Sequence, residues 1–358
     1  MPHKTTISMR QLGCGIFLCL ICESLIRPMA GGAALPAYSR VTAGVLCSFA
    51  VWFLMRWFCR VAGGEEGACL LSGKGKGSRL ALFLMAVSFS VGAGRSLEQT
   101  ETFYRYVSTE GLALSVFILL ALAVCLYAVK IGLESLLRTG SLLFVLLSFS
   151  VLLLITGNAP AMQLEHLQIP QKPVKDILES CVKGFHLTPE LLLLGLYAHT
   201  AAPVKSEGVL ARVLIAAMTV DVSLDCITEL VLGAFGAMQI QPLHTLARIG
   251  GISVFRRIDA IHVAIWLLIS LFRTALLCAG LATVVRPLLP VRFREKVWPM
   301  ILPVLLGCRI SYLCPIGKLL WLQTITVMAS AFTVTVLLKL SKKKGESRCC
   351  GNANEQPL

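Results

Sequence analysis

Apolar residues in this chain gather in long blocks separated by short polar stretches. Ten blocks stand out, at roughly residues 9–30, 39–60, 79–96, 111–129, 135–156, 188–203, 209–237, 258–285, 297–312 and 317–339. A helix rises 1.5 Å per residue, so about 20 apolar residues cross a hydrocarbon layer of about 30 Å. The pattern therefore predicts an all-α integral membrane protein with about ten transmembrane helices. Residues 1–340 read as one polytopic domain, and 341–358 as a basic, then polar cytoplasmic tail expected to be disordered. The longest polar interruption is 157–187, rich in Pro, Lys, Glu and Gln. It predicts a loop with a short amphipathic piece near "VKDILESCVKGF", in the role of connector, lid or partner contact.

Composition agrees with this pattern. Of 358 residues, 56% are hydrophobic and 15% charged, against about 25% charged in soluble domains. The net charge of +14 fits Lys and Arg collecting in cytoplasmic loops. A nucleic-acid-binding role would need a basic domain outside the membrane, and none is long enough. With the N-terminus inside, the cytoplasmic segments hold 20 of the 33 basic residues and the outside segments 12, with Arg273 inside the eighth block. The predicted topology is N-in and C-in, which makes 157–187 external.

The 14 cysteines lie mostly inside apolar runs, where free Cys behaves as a small buried hydrophobe. Cys19 and Cys22 have redox-motif spacing but sit mid-helix. Cys349 and Cys350 have no nearby His to complete a metal site. No HExxH, GxSxG, Walker or dinucleotide-binding motif occurs. The reading is not an enzyme, with no cofactor and no metal.

Candidate chemistry lies at backbone breaks and intramembrane charges. Irregular backbone inside a bilayer is tolerated only where it is buried in protein or lines a cavity. The first block runs into "RPMAGGAALP", and the sixth is short, with Pro189, Gly195 and Pro203. Interrupted segments at equivalent places in two halves point to a transporter binding site. Candidate ligand-binding residues there are Glu23, Arg27, Glu190, Gly195 and Tyr197. Glu23 and Arg27 are spaced one turn apart and are expected to pair. Thr188-Pro189-Glu190 also reads as a helix start with a first-turn acid.

"VDVSLDCITEL" places Asp221, Asp225 and Glu229 within about 80° of one another on a helix. Each carboxylate at membrane depth costs about 2.5–3.5 kcal/mol, so the stripe is expected to face the protein interior. Arg273 reads as the only basic residue deep in a span and is the expected partner. The stripe is then a structural ion-pair network or a cation or proton pathway.

The order of several stretches resembles a known family. "ISMRQL" opens the first helix, "YAVKIGLESLLRTG" spans 127–140, and "LVLGAFG" precedes "QPLHTLARIGGISVFRRIDAIHVAIWLL". Tyr127, Gly132, Leu133, Glu134 and Arg138 match one family junction, and Arg257, Asp259 and Trp266 match another. Together they resemble the spore germination permeases, the B-type membrane subunits of endospore nutrient germinant receptors. The resemblance implies an amino acid–polyamine–organocation permease fold of five plus five inverted helices, with ligand between the first and sixth. It also implies A-type and lipoprotein C-type partner subunits in the spore inner membrane. Read physically, Glu134, Arg138, Arg257, Asp259 and Trp266 suit structural roles. Three functions follow: a receptor subunit for a small, amino-acid-like nutrient, a proton- or sodium-coupled transporter, or an assembly scaffold without a working site.

Overall fold

The structure, a computed structural model, describes residues 8–26, 36–62, 76–108, 113–167, 173–197, 206–251, 259–294 and 296–352. Within them the chain forms helices and short 3-10 turns, and no strand. The helices are α1 (Met9–Ile26), α2 (Ala37–Ala62), α3 (Lys76–Val107), α4 (Leu114–Ile131), α5 (Leu133–Asn158) and α6 (Pro173–Gly184). They continue as α7 (Leu192–Tyr197), α8 (Ser206–Leu232), α9 (Pro242–Ile249), α10 (Asp259–Val285), α11 (Ile301–Leu313) and α12 (Ile316–Asn352). Among the described residues six helices are long and apolar enough to cross a membrane, and two shorter apolar helices accompany them. The protein is a multi-pass integral membrane protein.

α1, α3 and α10 form the buried centre, while α2 and α5 present more of their surface outward. α3 packs against α10, α11 and α12, and α1 packs against α5, α8 and α10. The interior is filled by residues such as Leu12, Ile16, Phe58, Phe89 and Trp266. Outward positions on α4 and α5, among them Leu119, Leu120, Val145 and Phe149, remain apolar and exposed. That inversion of the soluble pattern is what a lipid solvent requires.

Three boundaries differ from the sequence pattern. The third block was expected to end at 96, yet α3 runs on to Val107. Its polar continuation, Arg95 to Glu101, is largely buried, because facing helices satisfy it and it need not leave the membrane. The seventh block was expected to reach 237, but α8 ends at Leu232 and a 3-10 turn covers Gly233–Met238. α12 stays helical to Asn352, beyond residue 340.

Two glycine features fix the packing. Gly132 joins α4 to α5 with φ 117°, a left-handed conformation that costs other residues a steric clash. Gly94 of α3 and Gly307 of α11 let two backbones touch. A Cβ on Gly307 would lie 2.0 Å from the Ser90 carbonyl oxygen, and one on Gly94 2.1 Å from the Cys308 nitrogen. Small residues allow such close helix crossings inside membranes.

The 157–187 segment is ordered where described. The amphipathic piece forms α6, which packs along α2. Upstream, the Gln163 N–H donates to the Leu230 carbonyl at 2.9 Å, and the Gly251 N–H donates to the Gly157 carbonyl at 3.3 Å.

Candidate functional site

The core holds a charged centre contributed by five helices or turns. Glu23 comes from α1, Arg95 and Gln99 from α3, and Glu190 from the 3-10 turn Pro189–Leu191 that leads into α7. Arg273 comes from α10 and Gln323 from α12. All six are buried.

Arg273 organises the centre. Its Nε–H donates to Glu190 Oε1 at 2.6 Å, one terminal nitrogen to Gln99 Oε1 at 3.0 Å, and the other to Glu23 Oε2 at 3.0 Å. The planar guanidinium fork suits this three-way bridge. Glu23 Oε1 accepts from Arg95 at 2.5 Å, and Arg95 also donates to Gln323 Oε1 at 2.9 Å. His186 Nε2 stands 3.3 Å from Glu23 Oε1. Two carboxylates and two guanidiniums balance, which is the condition under which buried charge is tolerated. Ser96 with Thr274, and Thr100 with Ser270, continue the polar contact between α3 and α10.

The centre is not fully satisfied. Glu190 Oε2, Gln323 Nε2 and Thr188 Oγ1 are buried with no hydrogen-bond partner among the described residues. A buried polar group left in that state costs about 1–3 kcal/mol.

The predicted ligand residues divide. Glu23 and Glu190 meet at Arg273. Glu190 opens its turn as read, with Thr188 extended and Pro189 at the first position, yet its side chain points into the core. Arg27 lies outside the described residues, as do most of the first break and Pro203. Gly195 packs on α2 instead, where a Cβ would meet Phe58 at 2.4 Å. The Tyr197 hydroxyl is 2.6 Å from Thr283 Oγ1, about 15 Å further along α10 than Arg273.

The expected pairing of Arg273 with Asp221, Asp225 or Glu229 is corrected by the structure. Arg273 engages Glu23 and Glu190, and the α8 stripe faces the start of α2. Arg40 Nε is 3.4 Å from Asp225, and Arg40 also approaches Glu229 at 3.9 Å. The N–H of Ala37, the first residue of α2, donates to Glu229. A carboxylate there meets the unsatisfied donors and positive end of a helix. Glu229 is buried, and Asp221 and Asp225 are half-buried. Nor is Arg273 the only deep basic residue, since Arg95 shares the core with it.

The remaining motif residues have structural settings. Arg138 donates to Glu134 one turn away at 2.5 Å. Asp259 lies in the first turn of α10, and Arg257 lies outside the described residues. Trp266 is buried, and its indole N–H donates to Ser150 Oγ at 3.3 Å. His262 stands edge-on to Trp266 and 3.0 Å from the Ser150 carbonyl.

Arg40, Arg95, Gln99, His186 and Gln323 were not singled out from sequence. One signal was available. Ser88, Gly92, Arg95 and Gln99 recur every three or four residues in α3, a polar and small face at helical spacing.

Among the described residues the fold is a polytopic helical bundle around a buried charged centre. In keeping with this, a nucleobase-cation-symport-1 family transporter, Mhp1, solved in a closed conformation with bromovinylhydantoin bound, has a similar fold. The TM-score is 0.55 at 14% identity, covering 92% of this chain and 78% of that one. The chain belongs to the spore permease family, whose model, described as spore germination protein, matches residues 43–312. None of the curated proteins compared with it matches.

Proposed function

We propose that this chain is the membrane subunit of a spore germinant receptor, binding a small amino-acid-like nutrient at the Arg273 centre and helping to trigger germination. The observation that supports this reading is the pair of unmet groups at that centre. Glu190 Oε2 is a buried acceptor and Gln323 Nε2 a buried donor. An α-amino acid offers the complement, an ammonium donor and a carboxylate acceptor. The reading takes residues 1–340 as one membrane domain and 341–358 as its cytoplasmic tail. By family resemblance its partners are A-type and C-type receptor subunits.

The test uses spores of a deletion strain, complemented with wild type or Glu190→Gln, across amino acids, sugars and nucleosides. The deletion is expected to abolish the response to one nutrient class. Glu190→Gln is expected to raise the nutrient concentration needed. Normal germination of deletion spores on every class would overturn the proposal.

A second reading, a proton- or sodium-coupled transporter, draws on the likeness to a cation symporter and on the half-buried Asp225. It expects uptake by proteoliposomes driven by a pH or sodium gradient and lost in Asp225→Asn. A nutrient response without flux favours the receptor.

A further inference from the structure

We propose that Cys47 and Cys181 form a disulfide that fastens α6 to α2 and so locks the segment leading into the charged centre. Cys47 Sγ lies 3.8 Å from the Cys181 carbonyl oxygen. The two cysteines are 134 residues apart in sequence, brought together by the packing of α6 on α2. Both are half-buried, whereas Cys19, Cys22, Cys59, Cys125, Cys278 and Cys308 are buried in the core.

Two further features favour a covalent tie at this place. α6 packs on α2 and leaves Val174, Leu178 and Val182 exposed along another face. Cys181 also precedes His186, which reaches Glu23, and Glu190, which reaches Arg273. A bond at Cys181 therefore restrains the short stretch that delivers both residues. The restraint on nutrient access rests on the receptor reading, but the bond itself does not.

With the N-terminus inside, residues 157–187 lie on the extracytoplasmic side, where disulfides persist. The oxidant is another disulfide, either a low-molecular-weight one or that of a thiol–disulfide oxidoreductase. One protein thiolate attacks it and forms a mixed disulfide, releasing the first thiol. The second protein thiolate then displaces the remaining thiol. Two protein thiols lose two protons and two electrons to form one S–S bond. The oxidant gains them and becomes two thiols.

The experiment uses the full-length protein in lipid nanodiscs, treated with oxidised glutathione, alkylated and mapped by mass spectrometry. The expected result is a linked peptide containing Cys47 and Cys181, returned to two free thiols by dithiothreitol. It should be absent in Cys47→Ser and kept in Cys314→Ser. Tryptic cleavage within 157–187 should slow several-fold in the oxidised protein. Complete alkylation of both thiols after oxidation overturns the proposal, as does equal cross-linking of Cys181 to another cysteine in Cys47→Ser. Because no nutrient is involved, failure here leaves the receptor reading standing, and failure of the germination assay leaves the cross-link standing.

Discussion

Arg273 shows how much one side chain can hold in a membrane core. Its three guanidinium nitrogens tie α1, α3 and the Pro189–Leu191 turn to α10. Replacing it with Met removes the charge partner of Glu190 and leaves Glu23 with Arg95 and His186 alone. Breaking a buried pair in this way costs about 3–5 kcal/mol. Arg273→Met in detergent is expected to melt well below wild type, with partial recovery in Arg273→Met/Glu190→Gln. A wild-type melting curve for the single variant would refute the charge balance described here. His244, outside the spans on α9, gives a pH test. Its Nδ1 is buried without a partner among the described residues. Burial, aided by Arg248 and opposed by Asp259, holds its pKa below the ordinary 6.5. The folded state therefore favours neutral His244. That stability is fully present above about 6.5 and is lost as pH falls through the lower folded value. Between pH 7.5 and 5.5 the melting temperature should fall more for wild type than for His244→Gln. At this scale the sequence was partly legible. Glu23, Glu190 and Arg273 stood out as charges in apolar blocks. Their partnership did not, because residue spacing reports neighbours along one helix and not across helices.

Among the elements, the crossing of α3 and α11 depends on Gly94, Gly307 and the Ser90 backbone. Hydrophobic burial drives helices together weakly in lipid, so close packing carries more of the association. Gly307→Leu is expected to abolish a monodisperse peak in size-exclusion chromatography, and Gly317→Leu to leave it intact, since a Cβ on Gly317 meets nothing within 4 Å. Helix positions were well legible, as the apolar blocks follow α2, α4, α5 and α10 to within a few residues. α3 was misjudged at its end for a physical reason. Local hydropathy marks where a helix meets water, and the polar residues after Val91 meet other helices instead.

At the scale of the molecule, the basic residues favour one orientation. Reporter fusions should read cytoplasmic when placed after residue 340 and external when placed within 157–187. The reverse pattern would overturn the orientation and, with it, the oxidising setting of Cys181. The acidic α8 stripe marks the boundary between what each source of information decides. Sequence alone determined the membrane class and the need for Asp221, Asp225 and Glu229 to avoid lipid, and it set the expectation of about ten spans with both ends inside. Each of these follows from local composition and the cost of exposing charge to hydrocarbon. Only the tertiary structure decided that Arg40 and the start of α2 meet that stripe, while Arg273 serves Glu23 and Glu190. Those contacts join residues far apart in sequence, and it is helix packing that sets which charges share a dry interior.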